Sequence, residues 1–533
     1  MRSPLFPALL SLVSISLVGC GGTPPAPPAT PIAVAPPPAS EAPKPTSEVP
    51  PAGAPKPLKP AEVFTFDTKG GSKTIGIASH ELPIVHVRVV VRAGNAASAV
   101  MPNAKSRAGL ANVVAELLKD GGAGRFSARE LADRVDSLGA DLGVEVGPDR
   151  AVFGLSVTKD KLDAALEILG AVVGKPRFDP TEFGKLKGRE LDRVRQSQKG
   201  SGSWMARSAM YRELFGLGHP YADFDANEES LTAMTVADAR AFWDKLYVAS
   251  NVTIVVAGDI QKDDLAAKLD KHLTLSTKPA PSIPWTEPKA ANGLRVVLAL
   301  KPGSKQADIL LGMLSMPRTD AHWPELALAV HALGGGMSSR LFVDVREKKS
   351  LAYSTTAMTR ELSHGASVVA LYAGTQTPLA PKSAQALLEH LTGIQGSQPV
   401  DPSELAIAQT SLETGFVFRL ETLGAVAGVA IDQVVLGLPG KDVYEYVAGY
   451  RTALHSASLD GVRTVAKDAL AKGAVLSVAG DPALAKALRR FGPVRVVDPE
   501  KAFATVEELT QDSNAPLDVS LPKAPPAEAP VAK

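Results

Sequence analysis

The chain has little cysteine to work with: Cys20 is the only one in 533 residues. No internal disulfide is therefore possible. No G-x-S-x-G elbow occurs either, so the sequence offers no serine nucleophile of that kind. An excess of charge of one sign is also missing. Net charge is +1, which leaves no electrostatic footprint for binding nucleic acid. The N-terminal apolar run from Leu5 to Leu17 is short for a comfortable transmembrane helix. Nine histidines are present, and they show no metal-ligand spacing.

The remaining composition is that of globular protein. Hydrophobic residues make up 45% and charged residues 21%, enough for sizeable cores, and the length exceeds one ordinary domain. The 43 prolines concentrate at the two ends. Arg2, the Leu5–Leu17 run and Leu17-Val18-Gly19-Cys20 read as a signal peptide over 1–19 that ends in a bacterial lipobox. Cys20 then becomes the lipidated first residue of the mature chain. The alternatives are an ordinary secretory signal with an incidental cysteine, or a short anchor. Gly21, rather than Asp, after the cysteine points to the outer membrane, facing the periplasm. Residues 20–61, rich in Pro and Ala, cannot bury enough apolar surface to fold and read as an extended tether. A disordered tail is expected over 513–533.

Between these ends, strands are expected at Ile75–Ala78, Val85–Ala93 and Ala151–Val157. Helices are expected at Gly109–Lys119, Ser127–Leu138 (Ser127 and Glu130 forming a capping box), Lys159–Val173, Thr181–Gln198 and Trp204–Phe215. A second series places strands at Ile309–Met316 and Val368–Ala373. Its helices fall at Trp323–Leu333, Ser338–Lys349, Pro378–Leu391 and Ser403–Leu420. The closing stretches match. TIVVAGDIQKDDLAAKLDKHL (253–273) and VLSVAGDPALAKALRRF (475–491) are each a strand, Ala-Gly-Asp, then a helix. One fold present twice follows, as domains 62–277 and 291–500 joined by the Pro-rich linker 278–290.

The helix GLANVVAELLK (109–119), with LPIVHVRVVVRAGN before it and FSARELADRVDSLGADL after it, resembles the start of an insulinase/pitrilysin-type peptidase. Gly218-His219-Pro220-Tyr221 is a segment that also recurs in that family. The resemblance is to the two-domain bacterial and mitochondrial-processing-peptidase branch. It implies an α+β chain of two tandem homologous α/β domains, each an antiparallel-rich sheet flanked by helices. In that family the helix carries H-x-x-E-H: two His bind zinc and the Glu activates water. Here those positions are Asn112, Ala115 and Glu116. The family's third ligand, a Glu, falls near Ser208 or Ala209, with Glu213 one turn on. His219 reads as a packing or capping residue.

In the second domain LGGGMSSRLFVDVREKKSLAYS (333–354) is close to the family pattern. The resemblance assigns Arg346 and Tyr353 to the pair that donates to the substrate carbonyl as it gains charge. The same residues also read as a surface Arg and a core Tyr. Gly334, Gly335 and Gly336 either let a backbone approach substrate or end the helix before them.

The implied function is a zinc-free subunit of a periplasmic peptidase complex, with no cofactor of its own. It would bind extended peptide and pair with a zinc-bearing homologue or with itself. The alternatives are a non-catalytic peptide-binding or scaffolding lipoprotein, and a metallopeptidase with other ligands.

Overall fold

Alternating β-branched strands next to helices with a 3.6-residue apolar period must bury one face of each strand against the helices. The computed structural model describes residues 60–102, 107–223, 225–288, 293–471 and 473–519, and in them this happens twice. The signal segment, Cys20, the tether up to residue 59 and residues 520–533 lie outside the described residues.

The first sheet holds β1 (Glu62–Asp67), β2 (Lys73–Ala78), β3 (Ile84–Val91), β4 (Gly143–Val146), β5 (Ala151–Thr158) and β6 (Val252–Gly258), in the order β1-β2-β6-β3-β5-β4. The second holds β7 (Arg295–Leu300), β8 (Gln306–Leu314), β9 (Ser354–Arg360), β10 (Val368–Gln376), β11 (Ala474–Gly480), β12 (Val494–Asp498) and β13 (Ala504–Leu509). Its order is β13-β12-β7-β11-β8-β10-β9. The run β2-β6-β3-β5-β4 recurs as β7-β11-β8-β10-β9, one parallel pairing followed by three antiparallel ones. The duplication is thus a duplication of topology.

The matching Ala-Gly-Asp triplets close the loops after β6 and β11. Gly258 sits at φ +143°, and a Cβ there would lie 2.1 Å from the Ile84 carbonyl oxygen. Asp259 accepts from Lys159 Nζ at 2.9 Å and pairs with His80 Nδ1 at 2.5 Å. Asp481 accepts from the Gly303 and Ala483 backbone N–H groups at 2.8 and 2.9 Å.

Helices of the first half are α1 (Leu110–Asp120), α2 (Ala128–Ser137), α3 (Leu162–Gly174), α4 (Pro180–Gly200), α5 (Gly202–Phe215), α6 (Glu228–Ala233), α7 (Val236–Leu246) and α8 (Lys262–His272). Those of the second are α9 (Trp323–Gly334), α10 (Ala380–Gln395), α11 (Pro402–Arg419), α12 (Leu423–Leu436), α13 (Val443–Ser456), α14 (Leu459–Leu470) and α15 (Leu484–Leu488). The Ser127–Glu130 capping box forms as expected, and Asp179 caps α4 through the backbone N–H groups of Thr181 and Glu182.

The two faces of β3 show how the halves interlock. Val85, Val87, Val89 and Val91 enter a core with α1, α3 and α7. Val90, with Ile75, Ile77 and Val255, points the other way, into a core that includes Val426, Ala427 and Ala430 of α12. Thus a helix of the second half covers the first sheet. The Arg92 guanidinium fixes it by donating to the Val434 carbonyl at 3.0 Å. The exchange is reciprocal. Met205, Ala209 and Met210 of α5 pack on Val297, Leu310 and Val475 of the second sheet. Ser477 Oγ donates to the Ala206 carbonyl at 2.7 Å. A Cβ at Gly312 would lie 2.2 Å from the Met210 sulfur, so β8 is glycine where the helix comes closest.

Several expectations need correction. In packing, α5 and α12 cross the division between 62–277 and 291–500. The second sheet also extends past residue 500, to β13. The tail expected from 513 is in fact packed at its start: Ala515 is buried, and Asp518 pairs with Lys382 at 2.7 Å. The helix expected over Ser338–Lys349 is a π-helix, Leu341–Lys348, in which the Lys349 N–H donates to the Asp344 carbonyl at 2.9 Å. A hydrophobic pattern this short does not separate one helical pitch from the other. Strands β1, β4, β7, β9, β12 and β13 went unread: β1, β4, β9 and β13 are mostly half-exposed or edge strands, whereas β7 and β12 are short buried runs with no alternation to mark them.

Candidate functional site

Helix α1 starts from Gly109 at φ +76°, where a Cβ would lie 2.4 Å from that of Ala226. Leu110, Val113, Val114, Leu117 and Leu118 are buried, which turns Asn112 and Glu116 to the opposite face. Asn112 lines a cavity of about 660 Å³. Its Oδ1 is buried with no hydrogen-bond partner among the described residues. Ala115 is fully buried, so the position that would need a base points into packing. Glu116 is bound to Lys119 at 3.1 Å.

The Glu213 candidate does not reach this place. It is buried against Arg295, at 3.8 Å, and Arg495, on strands β7 and β12. Ser208 instead donates to Asp225, at 3.2 Å, and Ala209 is core. His219 is held by packing: Phe215 stacks on it at 5.0 Å and Trp285 meets it edge-on at 4.7 Å. Its Nδ1 accepts from the Tyr221 N–H at 3.1 Å and its Nε2 donates to the Thr286 carbonyl at 2.9 Å. Burial lowers its pKa, so the neutral ring is favoured. Among the described residues no group of three or more His, Cys, Asp or Glu is arranged to hold a metal ion. An amide, a methyl and a lysine-paired carboxylate do not make a zinc site.

The cavity has two walls. One is α1 with the end of β4, where Val146, Gly147 and Pro148 lie. The other is the face of β9 that carries Ser354, Thr356, Met358 and Arg360, backed by Tyr372 of β10. Helix α5 supplies the floor through Ser203, Arg207, Met210 and Tyr211. Burial pushes the Tyr211 phenol up to about 12, against the opposing effect of Arg360 and Arg207. Arg207 is paired with Asp225 at 3.1 Å. Strands β4 and β9 are each the last in their sheet. Among the described residues an edge strand from each half thus contributes to one cavity, β9 along its face and β4 through its last residue, Val146.

Arg346 and Tyr353 sit beyond this lining. Arg346, on the π-helix, lies over the Phe342 ring at 4.6 Å and 3.5 Å from Glu347, and its side chain is 44% exposed. Tyr353, 53% exposed, precedes β9. Its ring lies so close over Gly374 that a Cβ there would be 2.9 Å from both its Cζ and its hydroxyl. That hydroxyl meets Tyr372, which donates to Asp308 at 2.6 Å. Burial, with the Asp308 interaction, holds the Tyr372 phenol far above its ordinary range. No hydrogen bond joins Arg346 to Tyr353, so the structure gives each its own support.

The glycines divide. A Cβ on Gly334 would lie 2.2 Å from the Ala357 backbone nitrogen, and one on Gly335 would lie 2.1 Å from His331 Nδ1; Gly336 faces open space. Gly334 lets the end of α9 press on β9, and the Thr356 hydroxyl donates to its carbonyl at 3.2 Å. Gly334→Ala is expected to lower stability by about 1–3 kcal/mol in denaturant titration, because backbone must move. Gly336→Ala should stay within about 0.5 kcal/mol. Equal losses at both would contradict this division.

The sequence reading missed Asn95, Arg207, Asp308, Arg360 and Tyr372. Arg360 alone had a signal, the two-residue alternation Ser354, Thr356, Met358, Arg360.

Comparison with known proteins agrees with this architecture. A profile described as Insulinase (Peptidase family M16) matches residues 74–215. One described as Peptidase M16 inactive domain matches residues 233–412, and together the two span more than half of the chain. Two tandem domains of this topology define a peptidase-like protein of the M16 type. The chain belongs to the insulinase family, peptidase family M16. An uncharacterized zinc protease of Mycobacterium leprae is 26% identical over 305 residues, covering 55% of this chain and 66% of that one. A non-peptidase homolog of Helicobacter pylori is 23% identical over 366 residues, covering 68% and 81%. The crystal structure of a peptidase M16 inactive domain from Pseudomonas fluorescens matches with a TM-score of 0.70 and 24% identity, over 79% of this chain and 98% of that one.

Proposed function

We propose that the chain is a zinc-free subunit of a bacterial M16 peptidase complex. It binds extended peptide in the cavity and supplies Arg346 and Tyr353 to a zinc-bearing partner chain. The observation that carries the reading is that β4 and β9, each the last strand of its sheet among the described residues, contribute to one cavity, β4 at Val146 and β9 along its length. A free edge offers unpaired N–H and C=O groups that an extended peptide satisfies by adding a strand. The residues at the degenerate zinc positions support the division of labour, since neither Asn112 nor Ala115 replaces what a metal site needs. In this reading the zinc belongs to the partner, a homologue rather than a second copy. Acylation at Cys20 tethers the complex to the outer membrane, facing the periplasm.

The purified chain exposed to zinc and then desalted should retain no stoichiometric metal by mass spectrometry, and it should cleave a quenched peptide only after a zinc-bearing family member is added. One zinc per chain would sink the division of labour. The reading as a peptide-binding lipoprotein without chemistry has its own support, in the local contacts of Arg346 and in the relative described as a non-peptidase homolog. Peptide binding with no gain of activity on pairing would select it.

A further inference from the structure

The cavity has one charge left over. Arg207 and Asp225 neutralise each other at 3.1 Å, and Ser208 also donates to Asp225. Arg360 has no hydrogen-bond or ion-pair partner among the described residues, yet it lines the cavity and is near enough to Tyr211 to act on its phenol. It also borders an adjoining space of about 220 Å³. The acids there are Asp149, Glu361, Asp432 and Glu145. Three are engaged: Asp149 accepts from Tyr221 and from the Ser363 N–H, Glu361 pairs with Arg318, and Asp432 pairs with Arg150 and Arg419. Glu145, on β4, has no side-chain partner among the described residues, and no bond joins it to Arg360.

The face of β9 gives this charge a context. Ser354, Thr356, Met358 and Arg360 are spaced by two, so they form one row along the cavity, which Thr359 also borders. The row runs from small hydroxyls through an apolar side chain to a guanidinium. Asn95 lines the same cavity; it is more than nine-tenths buried, and its Oδ1 has no partner among the described residues. Such a group is costly inside a fold unless it serves a ligand or a water.

We propose that the cavity selects peptides bearing a carboxylate, which Arg360 binds at the end of the β9 row, two residues beyond an apolar side chain seated at Met358. This rests on the peptide-binding reading above and adds the substrate class. A guanidinium fits a carboxylate bidentately, whether it comes from an Asp or Glu side chain or from a chain terminus.

The test uses the full-length chain and four fluorescently labelled heptapeptides of one apolar sequence. They carry Glu or Gln two residues after a Leu, each with a free or an amidated C-terminus. Wild type should bind the Glu peptide roughly tenfold more tightly than the Gln peptide, and raised salt should shrink the gap. A preference for the free acid over the amide at constant sequence would place the terminal carboxylate at the site. In either case Arg360→Gln should abolish the preference and leave the melting temperature in place. No preference in the wild type, or a preference that survives Arg360→Gln, overturns the proposal while peptide binding stands. Failure of all four peptides to bind overturns the peptide-binding reading itself.

Discussion

Residues 60–277 expressed without the rest of the chain are expected not to fold cooperatively. Cut there, the first sheet loses α12, the cover of one face. Ile75, Ile77, Val90 and Val255 are all buried in the intact protein. Exposing four such side chains costs about 6–12 kcal/mol, on the scale of the whole stability of a typical domain. The fragment also keeps α5, whose Met205, Ala209 and Met210 are buried only because the second sheet is present. It therefore gains an apolar helix with no partner as it loses a cover. Calorimetry of the fragment should show no cooperative transition, whereas 60–277 and 291–533 expressed together should regain one. A fragment that melts sharply by itself would mean that α12 is an accessory to the first sheet rather than part of its core.

The second large effect is on activity. In the proposed complex with a zinc-bearing partner, Arg346→Ala is expected to lower the rate about 10²–10³-fold, the scale seen when one donor to a developing oxyanion is removed. The loss should fall on kcat, because the interaction strengthens as the carbonyl gains charge. Stability should barely change. The side chain is 44% exposed, and its charged contacts among the described residues are the Phe342 ring and Glu347, so its removal leaves no buried group unpaired there. Arg346→Ala thereby separates a chemical role from a structural one. An unchanged rate in an assembled complex removes the mechanism and leaves the peptide-binding reading. Tyr353→Phe serves as a companion, with Tyr372→Phe testing whether the Tyr372–Asp308 pair positions the Tyr353 hydroxyl.

What the sequence by itself determined was local or repeated. The α1 pattern, the Ser127–Glu130 capping box and the twin Ala-Gly-Asp closures rest on residues a few positions apart, where spacing alone sets geometry. The family resemblance carried by that stretch set Asn112, Ala115 and Glu116 against the positions of a zinc motif. Tertiary structure decided everything that depends on which distant surface a residue meets. It moved α5 and α12 onto each other's sheets, because an amphipathic helix specifies that a face be buried but not against what. It gave Gly334 to packing and left Gly336 free, a difference set by the distance to Ala357. It turned Glu213 toward two arginines, away from α1. It also brought β4 and β9 to one cavity: a free edge is defined by the absence of a neighbouring strand, and only the assembled sheet order reveals it.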